Sequence, residues 1–271
     1  MSRGSPVVSP VYAVVDLELT NRCNARCTFC PRDVVDENRG YMTEEVYDRA
    51  LECMAEAHIG SLVYSGFGEA LLHKRFFRFA DRAARKGLAL SLNTNGALLT
   101  GQMIAELAAS PIGHVNVNVN GYTRETYEMN MPGLKFDRLL DNLKEVLATD
   151  GRPVLSVQSL LHDEDYNRRF REFYLDLGVD YIQFFRRNNR SGNLDVECSR
   201  QVPFSERFCR TLIFIANDGR IFPCSHDVRR RTCLGTVTDT PLQSIEKVEH
   251  DLCRNCDICS MDEFATMRHM S

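Results

Sequence analysis

Three cysteines near the start of the chain have the spacing of a metal-binding loop. Cys23, Cys27 and Cys30 follow one another in a C-x3-C-x2-C arrangement. A closed zinc or iron–sulfur site takes four protein ligands, and no further Cys or His lies between Cys30 and Cys53. A cluster held by three thiolates keeps one iron open, and an open metal position is typical of a catalytic site. The alternative is a zinc loop that borrows a distant ligand.

The residues of this loop resemble the radical S-adenosylmethionine (SAM) superfamily. The cysteine spacing matches, Phe29 supplies the aromatic residue before the third cysteine, and the loop directly follows a strand-like run. The resemblance implies a [4Fe–4S] cluster on Cys23, Cys27 and Cys30, with SAM bound to the open iron. It also implies that one electron from the cluster cleaves SAM to a 5′-deoxyadenosyl radical, which abstracts a hydrogen atom from a substrate carbon.

Two later segments resemble the SAM-binding segments of the same family. Where the family has a Gly-Gly-Glu-Pro-like sequence after its second strand, this chain reads Gly66-Phe67-Gly68-Glu69-Ala70. The alternative is an ordinary strand-to-helix turn. An Asn-Thr-Asn-Gly segment ends the third predicted strand, as in the family. The resemblance therefore implies SAM contacts from Phe29, Gly66, Phe67, Gly68, Glu69, Asn93, Asn95, Asn118 and Gln158.

A second group of cysteines lies near the C-terminal end of the sequence. A predicted hairpin, with its turn at residues 217–220, brings Cys209 and Cys224 together, and a C-x2-C-x2-C run follows at residues 253–259. This part resembles the SPASM-type auxiliary domain in its shorter twitch form. The resemblance implies a second, auxiliary [4Fe–4S] cluster, with the ligands Cys209, Cys224, Cys256 and Cys259. A zinc ribbon is the alternative.

A single cluster uses four thiolates, whereas the C-terminal group offers five cysteines, with Cys233 as a sixth candidate, so at least one thiol is left over. The spare thiol is Cys253, or Cys259 if Cys253 and Cys256 form the ligand pair. A thiol S–H is weak enough to return a hydrogen atom to a carbon radical, so Cys253 is our candidate catalytic residue for an epimerisation. In length, the chain resembles family members of aminoglycoside pathways, a neomycin-type epimerase and a butirosin-type dehydrogenase. We expect epimerisation of an aminoglycoside-like sugar; the alternatives are dehydrogenation, ribosomal-peptide maturation and a zinc-binding module.

Alternating strand-like and helix-like segments must position these residues. From residue 12 to residue 195 the alternation predicts an α/β domain with a parallel sheet. The resemblance implies a partial (β/α)6 TIM-like barrel, followed over residues 196–271 by a twitch-type hairpin-plus-helix iron–sulfur domain. The short helix of that domain is predicted around residues 242–248. Residues 1–11 read as a flexible lead-in. The predicted strands are 12–19, 59–65, 88–95, 114–120, 154–160 and 180–185.

The faces of these strands predict a polar interior. From His114 to Asn120 one face is all valine and the other carries asparagine. A closed barrel filled by side chains has apolar residues on both faces, so a partial barrel with a polar cavity fits better. A sheet with one solvated face is the alternative. The expected substrate-binding residues on the polar face are Asp16, Glu18, Asn116, Asn120 and Gln183.

The composition and net charge limit which classes of partner the chain is expected to bind. It has 271 residues, 26% of them charged, and a net charge of −4, which gives no general attraction to nucleic acid or anionic membranes. No apolar run approaches the length of a membrane span and no secretory leader is visible, which predicts a cytoplasmic protein. We expect a small-molecule substrate and an external one-electron donor such as flavodoxin or ferredoxin. A cationic substrate would be bound by carboxylates, with the run 163–165 as a further candidate, while Arg229–Arg231 reads as a carboxylate-binding or solvated loop.

Overall fold

One ten-stranded sheet runs through the part of the chain that the computed structural model describes. Six of its strands are parallel neighbours in sequence order, as the alternation predicts. The structure describes residues 13–35, 39–185, 211–246, 248–254, 256 and 265–268. The six parallel strands are β1 (Val14–Leu17), β2 (Ser61–Tyr64), β3 (Ala89–Thr94), β4 (Ile112–Asn118), β5 (Val154–Leu160) and β6 (Tyr181–Phe185).

Helices connect each of these strands to the next. Their order and the sequential strand order confirm the predicted α/β class and the partial TIM-like barrel. The helices of this region are α1 (Glu44–Glu56), α2 (Phe76–Arg85), α3 (Gly101–Ala109), α4 (Arg124–Asn130), α5 (Phe136–Leu147) and α6 (Glu164–Leu177).

Side-chain caps set where the helices begin. The hydroxyl of Thr43 accepts a hydrogen bond from the N–H of Val46 and starts α1. Asp163 does the same for α6 by accepting from the N–H of Tyr166, and Asp165 pairs with Arg168. The acidic run 163–165 was expected as a candidate site for a cationic substrate. It instead caps a helix and pairs with arginines of its first turns.

The apolar faces of the strands pack under the helices. Val115, Val117 and Val119 are fully buried, in agreement with the predicted inside–outside pattern of this strand. The aromatic ring of Tyr47 on α1 stacks on Phe79 of α2 with 4.0 Å between ring centroids. This arrangement leaves the opposite, polar face of the sheet for the interior of the barrel.

The C-terminal hairpin continues the barrel sheet. Strand β7 (Leu212–Ile215) lies parallel to β1, and β8 (Arg220–Phe222) and β9 (Gly235–Thr236) follow it antiparallel. At the other edge, β10 (Ala265–Arg268) pairs antiparallel with β6. The sheet therefore passes without a break from the barrel into the predicted twitch-type segment. The predicted boundary at 195/196 lies outside the described residues.

One C-terminal element differs from its prediction. A helix was expected over residues 242–248, but the chain makes a single 3₁₀ turn at Leu242–Ser244. The hydroxyl of Ser244 donates back to the carbonyl of Pro241 at 2.7 Å, a local bond that competes with helix propagation. A four-residue helix, α7 (Asp251–Arg254), follows instead and carries Cys253. Among the described helices, none is both long and apolar enough to cross a membrane.

The continuity of the sheet predicts that barrel and hairpin unfold together. Ile213 on β7 is fully buried beside β1, so Ile213→Ala should lower the free energy of unfolding by about 2–5 kcal/mol. Urea unfolding followed by far-ultraviolet circular dichroism measures this, and one transition is expected. Val154→Ala, at a position 41% exposed on β5, is the control and should cost about 1 kcal/mol or less. A separate early transition in Ile213→Ala, with the barrel unaffected, would contradict the continuity.

Candidate active site

The three-cysteine loop lies at the carboxyl end of β1. Cys23, Cys27 and Cys30 are all half-buried, and Phe29 packs partly against the core. A tight turn holds the last two cysteines, because the N–H of Cys30 donates to the carbonyl of Cys27 at 3.1 Å. The thiolate of Cys23 would accept from the N–H of Ala25, which lies 3.4 Å from its sulfur. The loop therefore gathers the thiols predicted to hold the first cluster.

The electrostatics of the loop suit a positively charged ligand. Burial, and after it the nearby Cys30 and Cys23, raise the pKa of Cys27 to about 12. Burial also raises the pKa of Cys23, while Arg32 lowers both. Iron would reverse this balance, because a bound cation deprotonates its thiol ligands. Among the described residues no three His, Cys, Asp or Glu side chains enclose a single ion. In an iron–sulfur cluster each thiolate binds a separate iron. Three neighbouring thiols that do not enclose a single ion therefore fit such a cluster better than they fit one metal ion.

A glycine turn packs directly against this loop. Gly66 has φ +128°, a conformation that favours glycine, and a Cβ on Gly68 would overlap the carbonyl oxygen of Thr20. The same Cβ would lie 2.7 Å from the carbonyl oxygen of Arg22, which also accepts from the N–H of Glu69 at 2.8 Å. The turn predicted to bind SAM is therefore joined by backbone contact to the predicted cluster loop.

Glu69 connects that turn to the end of β3. Its buried carboxylate accepts from the N–H of Asn95 at 2.8 Å, the hydroxyl of Thr94 at 2.9 Å and the N–H of Leu71 at 3.3 Å. Burial raises the pKa of Glu69, while these three bonds favour the ionised form. The side chain of Asn95 in turn donates to Asn24 at 2.7 Å.

Two of these neighbours were missed at the level of sequence. Asn24 lies between the first two cysteines, and its side-chain oxygen accepts a hydrogen bond from the side chain of Asn95. Thr94 belongs to the Asn-Thr-Asn-Gly segment but was not among the predicted SAM contacts, and its buried hydroxyl donates to Glu69. The Asn95 side-chain nitrogen is also 3.9 Å from the sulfur of Cys23, so the loop, the turn and the end of β3 form one contact group.

A row of amides crosses the inner face of β3, β4 and β5. The side chain of Asn116 donates to Asn93 at 3.1 Å and to Gln158, and Gln158 donates to Asn118. Ser156, on the same polar face, donates to Asn116 at 2.8 Å. The polar face predicted from the strand alternation is therefore present and bonded within itself. Gln183 of β6 stands in register beside Gln158.

Asn120 occupies a different position from the one expected. It was predicted to face the substrate, but it stands beyond β4 with φ 41°. Its side-chain oxygen accepts from the N–H of Leu160 at 2.9 Å, and its carbonyl accepts from Asn130 at 2.7 Å. Asparagine tolerates this left-handed conformation better than most residues. Its side chain therefore holds the ends of β4 and β5 together.

The carboxyl groups of Asp16 on β1 and of Glu18 directly after it have different surroundings. Asp16 is half-buried beside Ser65, and burial raises its pKa to about 7, opposed by a hydrogen bond from Ser65. Glu18, expected as a second substrate carboxylate, is fully buried and pairs with Arg230 at 3.1 Å. The charge of Glu18 is therefore balanced by the protein, which leaves Asp16 as the carboxyl group best placed to contact a substrate.

The C-terminal cysteines are described in part. Cys224, Cys253 and Cys256 are buried, and the sulfur of Cys256 lies 4.0 Å from Nδ1 of His226, a residue that sequence reasoning did not include. Cys209 and Cys259 lie outside the described residues. The ligand set of an auxiliary cluster therefore stays a prediction, with Cys224 and Cys256 as its described members and Cys253 as the candidate spare thiol.

Replacing Gly68 tests the contact between the turn and the cysteine loop. Gly68→Ala places a methyl group against the backbone of Thr20 and Arg22, which cannot move aside as a side chain could. We expect a loss of about 3 kcal/mol or more in the free energy of unfolding. Gly60→Ala, where nothing lies within 4 Å of the new Cβ, is the control and should stay within about 0.5 kcal/mol. Equal stabilities of both variants in urea titrations would show that the turn can move away from the loop.

The pKa of Asp16 predicts a pH-dependent stability. It is about 7 in the folded chain against 3.8 for a free side chain, so the folded state holds this proton more tightly. The contribution of Asp16 to stability therefore falls as the pH rises from about 4 to about 7. In Asp16→Asn this fall is absent. The unfolding free energy of the variant minus that of the unchanged chain should therefore be about 1–3 kcal/mol larger at pH 8 than at pH 4. A difference in unfolding free energy that stays constant with pH would contradict the raised pKa.

Comparisons with known proteins agree with this geometry. A family model described as the radical SAM superfamily matches residues 17–177. Among curated proteins, the tungsten-containing aldehyde ferredoxin oxidoreductase cofactor-modifying protein of Pyrococcus furiosus is 28% identical over 176 residues. That match covers 60% of this chain and 48% of the relative. The chain thus spans about half the length of this relative.

Solved structures share the fold at low sequence identity. BtrN in complex with AdoMet and 2-DOIA has a TM-score of 0.63 at 19% identity, covering 90% of this chain and 92% of that chain. Streptococcus suis SuiB bound to the precursor peptide SuiA has a TM-score of 0.71 at 13% identity, and the match covers 93% of this chain and 71% of SuiB. Because the family model spans more than half of the chain, including the cysteine loop and the Glu69 turn, this protein belongs to the radical SAM superfamily.

Proposed function

We propose that this chain is a radical SAM enzyme that removes a hydrogen atom from a carbon of a small, polar, cationic substrate. One observation carries the proposal: the cysteine loop, the Glu69 turn and the inner polar face form a continuous contact group. Asn95 reaches the loop through Asn24, and Asn93, on the same strand, begins the row of amides on the inner face. A reactive group bound at the loop would therefore stand beside a polar cavity.

Each proposed ligand has residues suited to hold it. Cys23, Cys27 and Cys30 would hold the first cluster, and the Gly66–Glu69 turn with Phe29, Asn93 and Asn95 would contact SAM. When bound, cluster and SAM supply a carbon-centred radical, and a second cluster on the C-terminal cysteines supplies an electron store. The exposed Arg22 and Arg26 beside the cysteine loop would attract an acidic one-electron donor such as flavodoxin or ferredoxin.

Asp16 supports a cationic substrate. A substrate ammonium beside this carboxyl group would stabilise its ionised form, which burial alone disfavours. Asn116 and Gln183 on the inner face are candidates for hydroxyl groups, and Asn118 and Gln158 for SAM or substrate. The fold resembles that of BtrN, which was solved with the small molecule 2-DOIA, over nearly the whole of that chain. These points favour an aminoglycoside-like sugar over a peptide, although the peptide-bound SuiB has a similar fold.

The favoured outcome is epimerisation with a cysteine as hydrogen-atom donor. After the substrate C–H bond breaks, the thiol of Cys253 would give its hydrogen atom to the opposite face of the carbon radical. The S–H bond breaks, a new C–H bond forms, and the thiyl radical returns to a thiol by taking up an electron and a proton. Cys253 is buried on α7, and Cys259 is the alternative donor.

Dehydrogenation is the second candidate, and Asp16 is the observation that favours it. A substrate radical next to a hydroxyl group becomes a carbonyl when it loses one proton and one electron. With its pKa raised to about 7, the carboxylate of Asp16 is a better proton acceptor than an ordinary aspartate. The same residue could thus bind an ammonium group or take a proton.

Anaerobic reconstitution and turnover in D2O test the proposal. The loaded protein should bind about eight irons per chain and release 5′-deoxyadenosine with a cationic aminoglycoside. Epimerisation predicts one solvent-derived deuterium per product molecule. The Cys253→Ala variant should form no epimerised product while it still cleaves SAM. Cys233→Ala, at an exposed cysteine, is the control and should behave as the unchanged chain.

Two outcomes would contradict parts of the proposal. An unlabelled product oxidised by two electrons would exclude epimerisation and support dehydrogenation. Stoichiometric zinc without release of 5′-deoxyadenosine would overturn the assignment of the three-cysteine loop and favour a zinc-binding module.

A further inference from the structure

The middle residue of the run Arg229–Arg231 does not behave like its neighbours. Arg229 and Arg231 are exposed, whereas the side chain of Arg230 is only 2% exposed. Its guanidinium donates to Oε2 of Glu18 at 3.1 Å, and Glu18 is fully buried. A charged pair this deeply buried needs further contacts to offset the loss of water around both groups.

Three phenylalanines supply further contacts. The central guanidinium carbon of Arg230 lies 4.3 Å from the ring centroid of Phe214, 4.9 Å from that of Phe222 and 5.1 Å from that of Phe67. Flat stacking on aromatic faces is a property of arginine that lysine lacks. Phe214 and Phe222 are register partners in the C-terminal hairpin, whereas Phe67 belongs to the glycine turn. Arg230 therefore contacts both parts of the molecule at once.

The backbone of Arg230 is held in an uncommon conformation. Its φ is 54°, in the left-handed region that residues other than glycine seldom adopt. Asp227 organises this turn: its carbonyl accepts from the N–H of Arg230 at 2.9 Å, and its carboxylate accepts from the N–H groups of Arg231 and Thr232. Such a conformation persists only where the surroundings determine it, and here it directs the side chain towards Glu18.

Glu18 also contacts the glycine turn directly. Its other oxygen, Oε1, accepts from the N–H of Phe67 at 2.8 Å. A Cβ on Gly66 would lie 2.8 Å from the Glu18 side chain, so the turn packs tightly on this carboxylate. The connection runs from Asp227 through Arg230 and Glu18 to the backbone of the turn.

We infer that Arg230 is a positioning residue through which the C-terminal segment fixes the Gly66–Glu69 turn for SAM. The inference rests on the proposed function, in which this turn contacts SAM. Arg230 does not need to touch SAM itself, because Glu18 transmits its position to the N–H of Phe67. The affinity of the barrel for SAM then depends on how the segment around residues 224–232 is docked, and this segment carries Cys224.

Three variants of the reconstituted protein test this role. Arg230→Lys keeps the charge but loses the planar stacking, and the double variant Glu18→Gln with Arg230→Met removes both charges and leaves no buried ion unpaired. Both should weaken SAM binding at least tenfold in equilibrium dialysis. Both should also speed hydrogen exchange at the amides of residues 66–69 in the absence of SAM, while iron content stays unchanged. Arg231→Ala, an exposed neighbour, is the control and should match the unchanged chain.

The opposite results would overturn the inference. If the double variant keeps the original SAM affinity and the original exchange at residues 66–69, Arg230 does not position the turn. If Arg230→Lys loses iron and thermal stability in proportion to SAM affinity while the double variant binds normally, Arg230 is only structural. Failure of the unchanged, iron-loaded chain to bind SAM would instead overturn the proposed function.

Discussion

The arrangement of the site depends on one close backbone contact, between the turn after β2 and the loop after β1. Gly68 allows that contact, since any side chain there would overlap the carbonyl of Thr20. Glu69 then anchors the turn to the end of β3 through Thr94 and Asn95. Loops that follow neighbouring parallel strands meet at one edge of a sheet, and this contact turns that general tendency into a defined geometry.

The interior of the barrel keeps its polar character because its amides satisfy one another. Asn93, Asn116, Asn118 and Gln158 bond across three strands, so none of the bonded groups bears the full cost of being withdrawn from water. A ready-bonded row of this kind can exchange one partner for a hydroxyl of a substrate at little cost. Asp16 differs from this row, since it adds a titratable group to a neutral surface.

The C-terminal segment is integrated with the barrel at two levels. At the backbone, β7 extends the sheet beyond β1, so the hairpin shares hydrogen bonds with the strand that leads into the cysteine loop. At the level of side chains, Arg230 reaches Glu18, the residue directly after that strand. Charge burial on this scale is tolerated because the ion pair is enclosed by aromatic rings and by the N–H of Phe67. The segment that carries the predicted second metal centre is therefore joined by backbone and side-chain contacts to the part of the chain that leads into the cysteine loop.

The sequence by itself determined the class of fold, the family and the residues of the cysteine loop, because spacing and strand alternation are local properties. It also predicted the polar face of the strands, since the side-chain period of a strand needs no tertiary information. Only the tertiary structure decided the roles of Glu18 and Asn120, which look like free polar groups in the sequence. Their partners, Arg230 and Leu160, lie far along the chain, and a contact between distant segments has no signature in the residues around either one.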